Sequence, residues 1–352
     1  MNIVRFFMED KRRFHIGDSS GDIKDIFSSG QLFSAVINSA RLLYGKSAAE
    51  AMIVRFLSGD VLFSSMFLGL RVTDEKNEKT IHLLPKPTAP IIDTGAIKKE
   101  IINRKKKKKI KLLSGQLLQK LGNYWKEDAG QFECDLLEST LLIGNSIGVD
   151  PAELSGFNID QERLESLQFL KTDSKPHNVI SRRTGASDNI FYIDSLILEK
   201  KETDNVCFEP FMYFIVEGDF TKELKASIRL MADEGIGGKR SIGMGYFDSI
   251  EFEEGADSKT ERDAYCLSLS TLLPEKGELD QLISYELEKA SGFVHSGRGL
   301  SIRKKGYRLL SEGAITKGKL KGQVVDVTPE HFNQHPVYLN GKGVQIGFGD
   351  II

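Results

Sequence analysis

Cysteine is scarce in this chain: three in 352 residues (Cys134, Cys207 and Cys266), far apart and never as Cys-x-x-Cys. That excludes a disulfide framework or a zinc ribbon and suits a reducing compartment, so a cytoplasmic location is expected. Long apolar runs are also missing. The longest, Val61 to Leu70, is too short to span a bilayer. The opening MNIVRFFMEDKRR places Arg5 and Glu9 inside its apolar part and lacks a secretory core, and no membrane partner is expected. Catalytic signatures are lacking too: no Gly-x-Ser-x-Gly, no cysteine-centred triad, no Gly-Gly-Asp-Asp and no His-Asp pair. What remains is ordinary globular material, 40% apolar and 28% charged, long enough for two domains.

Charge is nearly balanced, at -2, but unevenly spread. Residues 98–111 hold nine Lys/Arg against one acid, and 298–322 hold eight against one, whereas 251–263 carries six acids and two bases. Basic patches of this kind suit a polyanionic partner, while the balanced total serves solubility. The Arg104–Lys109 run is equally compatible with a solvated face, because self-repulsion makes a packed helix there costly without counter-charge.

The periodicity predicts a first strand in NIVRFFME and a helix carrying Leu32, Phe33, Val36, Ile37, Ala40 and Leu43 behind a Ser28 or Ser29 cap. A second helix is expected from a Ser47–Glu50 capping box, then strand-like runs at 61–72 and 79–84. Helices are expected near 115–121 and 133–143, a strand at 208–218, a helix at 221–233, a glycine-rich loop and a strand in YFDSIEF. The order β-α … β-α-loop-β describes a split βαβ unit of the ferredoxin-like kind, interrupted by an insertion. The acidic stretch 253–262 marks the domain boundary. Beyond it the pattern predicts a strand in AYCLSLSTLL, an amphipathic helix in ELDQLISYELEKA, and strands to the end, the last pair a hairpin turning on Asn340-Gly341. That second unit resembles a degraded copy of the first.

The stretch GIGGKRSIGMGYF has five neighbours in glycine with its flanks, Gly235, Gly237, Gly238, Gly243 and Gly245, beside Lys239 and Arg240. It is not a nucleotide P-loop: Arg240 follows Lys239 where Ser or Thr is needed, Asp233 stands where the first glycine belongs, and the loop follows a helix and precedes a strand. Two readings are left. One is a structural turn with exposed cations. The other is a backbone cradle in which amides converge on phosphates, with Lys239 and Arg240 adding charge. Elsewhere, His331 and His335 in HFNQH have helical zinc-ligand spacing but no glutamate between them and no third ligand, so a polar loop is expected.

The glycine-rich stretch resembles the loop of the RAMP superfamily of CRISPR proteins. Together with FHIGD, LFSAVINSA, LLPKP, SGFVHS and HPVYLNGKGVQIGF, it resembles the fourth subunit of the type III-A (Csm) effectors, from the first strand to the last residues. The resemblance implies an α+β chain of two ferredoxin-like (RRM-like) domains. The first spans 1–252, with an insertion at 95–206 and the glycine loop at 235–245; the second spans 263–352. It implies a non-catalytic RNA-binding subunit, without cofactor or metal, that holds the 5′ repeat tag of a guide RNA. That subunit caps the filament beside the large polymerase-like subunit and a backbone RAMP subunit. Carried residue by residue, it places Gly237, Gly238, Lys239, Arg240 and Ser241 on RNA, and Phe293, His295 and Ser296 near the tag, with Phe293 stacked on a base or in the core. A β-hairpin thumb at 175–198 would set Arg182, Arg183 and Thr184 against guide and target RNA. Arg298 and Arg303, from a cluster with Lys304, Lys305 and Arg308, are RNA contacts by charge. His15 carries three readings: tag contact, loop structuring, or the general base of a metal-independent endoribonuclease processing guide precursors, the alternative function.

Overall fold

The computed structural model describes residues 1–17, 23–92, 105–106, 108–136, 138, 140–255, 264–295 and 301–348. Its largest element is a sheet whose centre comes from four segments distant in sequence: β1 (Asn2–Phe7), β3 (Phe67–Thr73), β7 (Val206–Gly218) and β8 (Ser249–Glu253). The intervening labels belong to β2 (Arg12–Phe14), β4 (Glu78–Pro85), and the two strands of a hairpin, β5 (Leu170–Ile180) and β6 (Ser187–Leu198). The spatial order is β8-β1-β7-β3-β4, every pair antiparallel. Helices α1 (Ser29–Tyr44) and α2 (Lys46–Ser58) connect β1 to β3, and α3 (Lys222–Glu234) connects β7 to β8. The order 4-1-3-2 with a helix after the first and third strands is the split βαβ arrangement expected of the first domain.

The alternation in β1 explains how the sheet is covered. Val4 and Phe6 point to the helices, where they join Phe14, Leu32, Val36, Phe56, Phe63, Phe214, Leu224 and Ile228 in a fully buried core. Each large side chain withdrawn from water there contributes roughly 1.5–3 kcal/mol. Ile3 and Phe7 point to the other face, against which Phe67, Phe211, Tyr213 and Ile215 meet the second domain's Leu267, Leu269, Ile315, Val344 and Ile346. One sheet therefore supplies both cores.

α1 begins where its sequence predicts. The Ser28 hydroxyl accepts from the Gln31 N–H, and Gln31 returns a bond to the Ser28 N–H at 3.0 Å. The capping box expected at Ser47–Glu50 does not form: α2 starts at Lys46 directly after Gly45, so both residues lie inside the helix, and Glu50 pairs with Lys46 at 3.6 Å. The run 61–72 divides at Ser64–Met66 into two strands: the Ser64 hydroxyl takes the Ile215 N–H, and the Ser65 and Met66 N–H groups donate to the Leu269 and Phe27 carbonyls. A helix forms at Gly115–Gly122, as expected, but none among the described residues of 133–143. That segment gives short strands at Gln131–Glu133 and Leu141–Ile143, the second adding to the large sheet.

The second domain departs furthest from expectation. Its four-stranded sheet contains β9 (Tyr265–Ser268), β10 (Leu282–Ser284), β11 (Ile315–Lys317) and β12 (Gln345–Gly347), in the order β10-β11-β9-β12. ELDQLISYELEKA is not a helix: a 3-10 turn covers Lys276–Gln281, then come β10 and a strand at Leu287–Ala290. No α-helix occurs among the described residues of this domain, so it is not a second βαβ copy. Nor is there a hairpin at Asn340-Gly341. Those residues pair with Val324 and Gln323, while β12 pairs with β9.

Candidate nucleic-acid interface

The glycine loop is held on the side of β2. The Gly238 N–H donates to the His15 carbonyl at 2.8 Å, the Gly245 N–H to the Arg13 carbonyl at 2.9 Å, and the Ile236 N–H to the Gly245 carbonyl at 2.8 Å. Gly235, Gly237 and Gly245 all have positive φ, and a Cβ on Gly237 or Gly245 would stand 2.5 Å from the His15 oxygen or 2.1 Å from the Ile236 oxygen. These glycines build the loop. The Gly238 and Gly245 amides are already bonded to the His15 and Arg13 carbonyls, so these two are not the ones an anion would meet.

What the loop exposes is its crest. Lys239, Arg240, Ser241, Ile242 and Gly243 are exposed, and a 3-10 turn spans Arg240–Ile242. Among the described residues no hydrogen bond engages the amides of Lys239, Arg240 and Ser241, and neither cation has a carboxylate partner. Lys239 adopts φ 60°, a conformation that costs a non-glycine residue about 1 kcal/mol. The chain thus places a lysine where glycine would be cheaper.

The hairpin β5–β6 rises next to this crest. β6 pairs with β2, Leu196 opposite Phe14 and Ile197 opposite Arg13. His15 sits at the junction: its Nδ1–H donates to the Asp194 carbonyl at 2.7 Å, which leaves Nε2 as the basic nitrogen, and its ring closes over Gly238. The loop-structuring reading of His15 is thereby observed. The hairpin starts at Leu170, five residues before the expected boundary. At its tip Arg182, Arg183 and Thr184 are exposed; the Thr184 hydroxyl accepts the Ala186 N–H at 3.3 Å, so it also shapes the turn.

Two arginines that sequence reasoning passed over fix this geometry. Arg13 bonds Ser195 Oγ at 3.0 Å and the Asp173 carboxylate at 2.6 Å, tying β2 to both hairpin strands. Arg12 bonds Asp248 at 2.6 and 2.7 Å and lies 3.8 Å over the Tyr246 ring, fixing the far end of the loop. The signal available was the pair of cations two residues before His15, at a strand edge.

The C-terminal cluster is set apart from this site by its own strands. Phe293 pairs opposite Arg303; both are exposed, as are Lys305 and Arg308. Lys304 is half-buried and desolvation lowers its pKa, so it is less available than its exposed neighbours. Val294, between Phe293 and His295, is buried against Val327, Phe332 and Val337. Phe293 is therefore outside the core, 53% exposed. His295 ends its strand by its backbone, while Ser296, Arg298, Arg104 and Lys107 lie outside the described residues. His335 bonds its own neighbour's carbonyl and no metal-binding group of His, Cys, Asp or Glu occurs among the described residues. None of the helices described is long and apolar enough to cross a membrane.

Comparison with known proteins gives a consistent picture. Residues 261–348 match the family model of the CRISPR Csm4 C-terminal domain. The CRISPR system protein Csm4 of Methanocaldococcus jannaschii is 27% identical over 383 residues, covering 96% of this chain and 94% of that one. Among solved structures, the fold is similar to a chain of the Csm3-Csm4 subcomplex of a type III-A interference complex, with TM-score 0.62, 22% identity and 98% of each chain covered. It is also similar to a chain of a Csm1-Csm4 cassette bound to cA4, with TM-score 0.56, 17% identity, and 98% and 96% covered.

Proposed function

We propose that the chain is a Csm4-like subunit of a type III CRISPR complex that holds the 5′ repeat tag of a guide RNA and caps the effector filament without catalysing a reaction. The observation that carries this is the crest at Lys239–Ser241: two cations and three amides with no partner among the described residues, on a loop bonded to the Arg13 and His15 carbonyls. Amides and cations converging on one exposed point suit phosphate oxygens. The hairpin next to it, with Arg182 and Arg183 at the tip, suits a strand running past the crest toward a guide–target duplex. Phe293 with Arg303, Lys305 and Arg308 offers a second contact, where an exposed ring can stack on a base. The neighbours expected are the large polymerase-like subunit and a backbone RAMP subunit, within a cytoplasmic ribonucleoprotein.

The test is the double variant Lys239→Ala/Arg240→Ala in the reconstituted complex. For a single strand each phosphate contact contributes about 0.7 to the slope of log K against log salt, so losing two should flatten the slope by about 1.4. The tag should become accessible to nuclease while the protein subunits stay assembled. Undiminished tag protection at an unchanged salt slope would remove the crest from the RNA path.

A further inference from the structure

The outer edge of the sheet is a different surface. β8 pairs with β1 from Ser249 to Glu253, and no strand among the described residues pairs with its other side. An open edge of this kind is a template for another strand. The sheet face beside it is acidic. The register sets Glu253 beside Ile3, Glu251 beside Arg5, and Glu209 beside Arg71, with Glu78 two pairs further along β4. Arg5 pairs with Glu253, and Arg71 with Glu78, Glu209 and Glu251, so four carboxylates meet two guanidiniums. Their depths differ. The arginine side chains are 12% and 27% exposed, whereas the glutamates range from 36% to 64%. The cations lie beneath and the carboxylates outermost, so the face presented to a partner is negative.

An RRM-like sheet commonly receives RNA on this face. Here the outward carboxylates repel phosphate, and the cations that would attract it are recessed under Phe7 and the glutamates, Arg71 lying 4.2 Å over the Phe7 ring. We infer that β8 is a docking edge for a basic extended segment of a neighbouring protein, which adds a strand along Ser249–Glu253 and sets Lys or Arg at alternate positions beside Glu251 and Glu253. Main-chain bonds would supply affinity and the alternating charges specificity, the usual division in strand addition. The inference rests on the reading of the chain as a subunit of a multi-protein complex. It is independent of the RNA contacts assigned to the glycine loop.

Hydrogen–deuterium exchange separates the possibilities without altering the protein. The isolated chain, the chain with guide RNA alone, and the reconstituted complex would be compared, then complexes omitting one subunit at a time. The amides of 249–253 are expected to exchange at least about tenfold more slowly in the complex, to be unaffected by RNA alone, and to lose protection when one subunit is left out. Glu251→Gln/Glu253→Gln should weaken retention of that subunit about tenfold at physiological salt while tag protection persists. Equal exchange in the isolated and assembled chain would overturn the proposal. So would slowing by RNA alone, which would assign the edge to nucleic acid.

Discussion

If the loop's glycines are structural and its crest functional, replacing individual glycines should give graded and separable effects. Gly243 has φ +85° but nothing within 4 Å of a built Cβ. Gly243→Ala therefore meets only the left-handed backbone penalty, about 1 kcal/mol. Gly245 has the same φ, and its Cβ would stand 2.1 Å from the Ile236 oxygen and 3.1 Å from that carbonyl carbon, both main-chain atoms that cannot step aside. Relief requires breaking the Ile236–Gly245 hydrogen bond, which adds the cost of overpacking, typically 1–3 kcal/mol, and that of an unpaired buried amide, 1–3 kcal/mol. The total for Gly245→Ala is about 3–7 kcal/mol. Gly238→Ala meets a side chain instead, His15 Cδ2 at 2.7 Å, so it should displace the imidazole from Asp194 at a cost nearer 1–2 kcal/mol. Thermal unfolding reads the series, since 1 kcal/mol shifts Tm by roughly 2–4 °C in a domain of 150–250 residues. Gly245→Ala should fall at least about 4 °C below Gly243→Ala, while Lys239→Ala/Arg240→Ala stays within a degree or two of the parent. Matching midpoints for Gly245→Ala and Gly243→Ala would refute the reasoning, because the main-chain overlap is all that distinguishes them.

Two further outcomes test the first domain. Burial, then the Arg5 charge, pulls the His82 pKa from 6.5 down to about 4, and Arg5 Nε–H donates to its Nε2 at 3.1 Å. Above pH 6.5 both states hold a neutral imidazole. Between 6.5 and about 4 the unfolded chain binds a proton that the folded one refuses, so stability should fall as pH drops through that window, by about 2–3 kcal/mol after screening. His82→Gln, which keeps an acceptor but cannot titrate there, should flatten that part of the urea-midpoint profile; parallel profiles would contradict the assignment. Ser28→Ala should cost about 1 kcal/mol through the lost α1 cap, read from the same urea midpoints. Loss of RNA retention beyond what that destabilisation explains would mean Ser28 does more than cap.

The places where sequence reading fails share a cause. Ser47–Glu50 has the letters of a capping box, yet Gly45 turns the chain one step earlier and commits Lys46 to the helix. Residues 278–290 carry helical periodicity, but Glu278 accepts the amides of Lys321 and Gly322, and its neighbours pair with Ile315 and Leu310. Those partners lie some thirty residues downstream, and tertiary context overrides local propensity. Asn340-Gly341 has hairpin chemistry, but Asn340 is fully buried and its neighbour packs against Leu273, so the turn signal serves a strand.

The sequence by itself determined several elements of the first domain: the alternation in β1, the apolar run of β7, the Ser28 cap and the α3 periodicity are local properties, each sufficient to specify its element. It also marked Lys239 and Arg240, whose charge beside glycine needs no partner to be noticed. Only the tertiary structure decided that the Gly238 and Gly245 amides bond the His15 and Arg13 carbonyls, and that Arg12 and Arg13 brace loop and hairpin. It alone left Lys304 half-buried while Arg303 stayed exposed, and set the carboxylates of β8 above their arginines. Those outcomes depend on which strands become neighbours and how deep each side chain lies, and long-range pairing fixes both after local structure has formed.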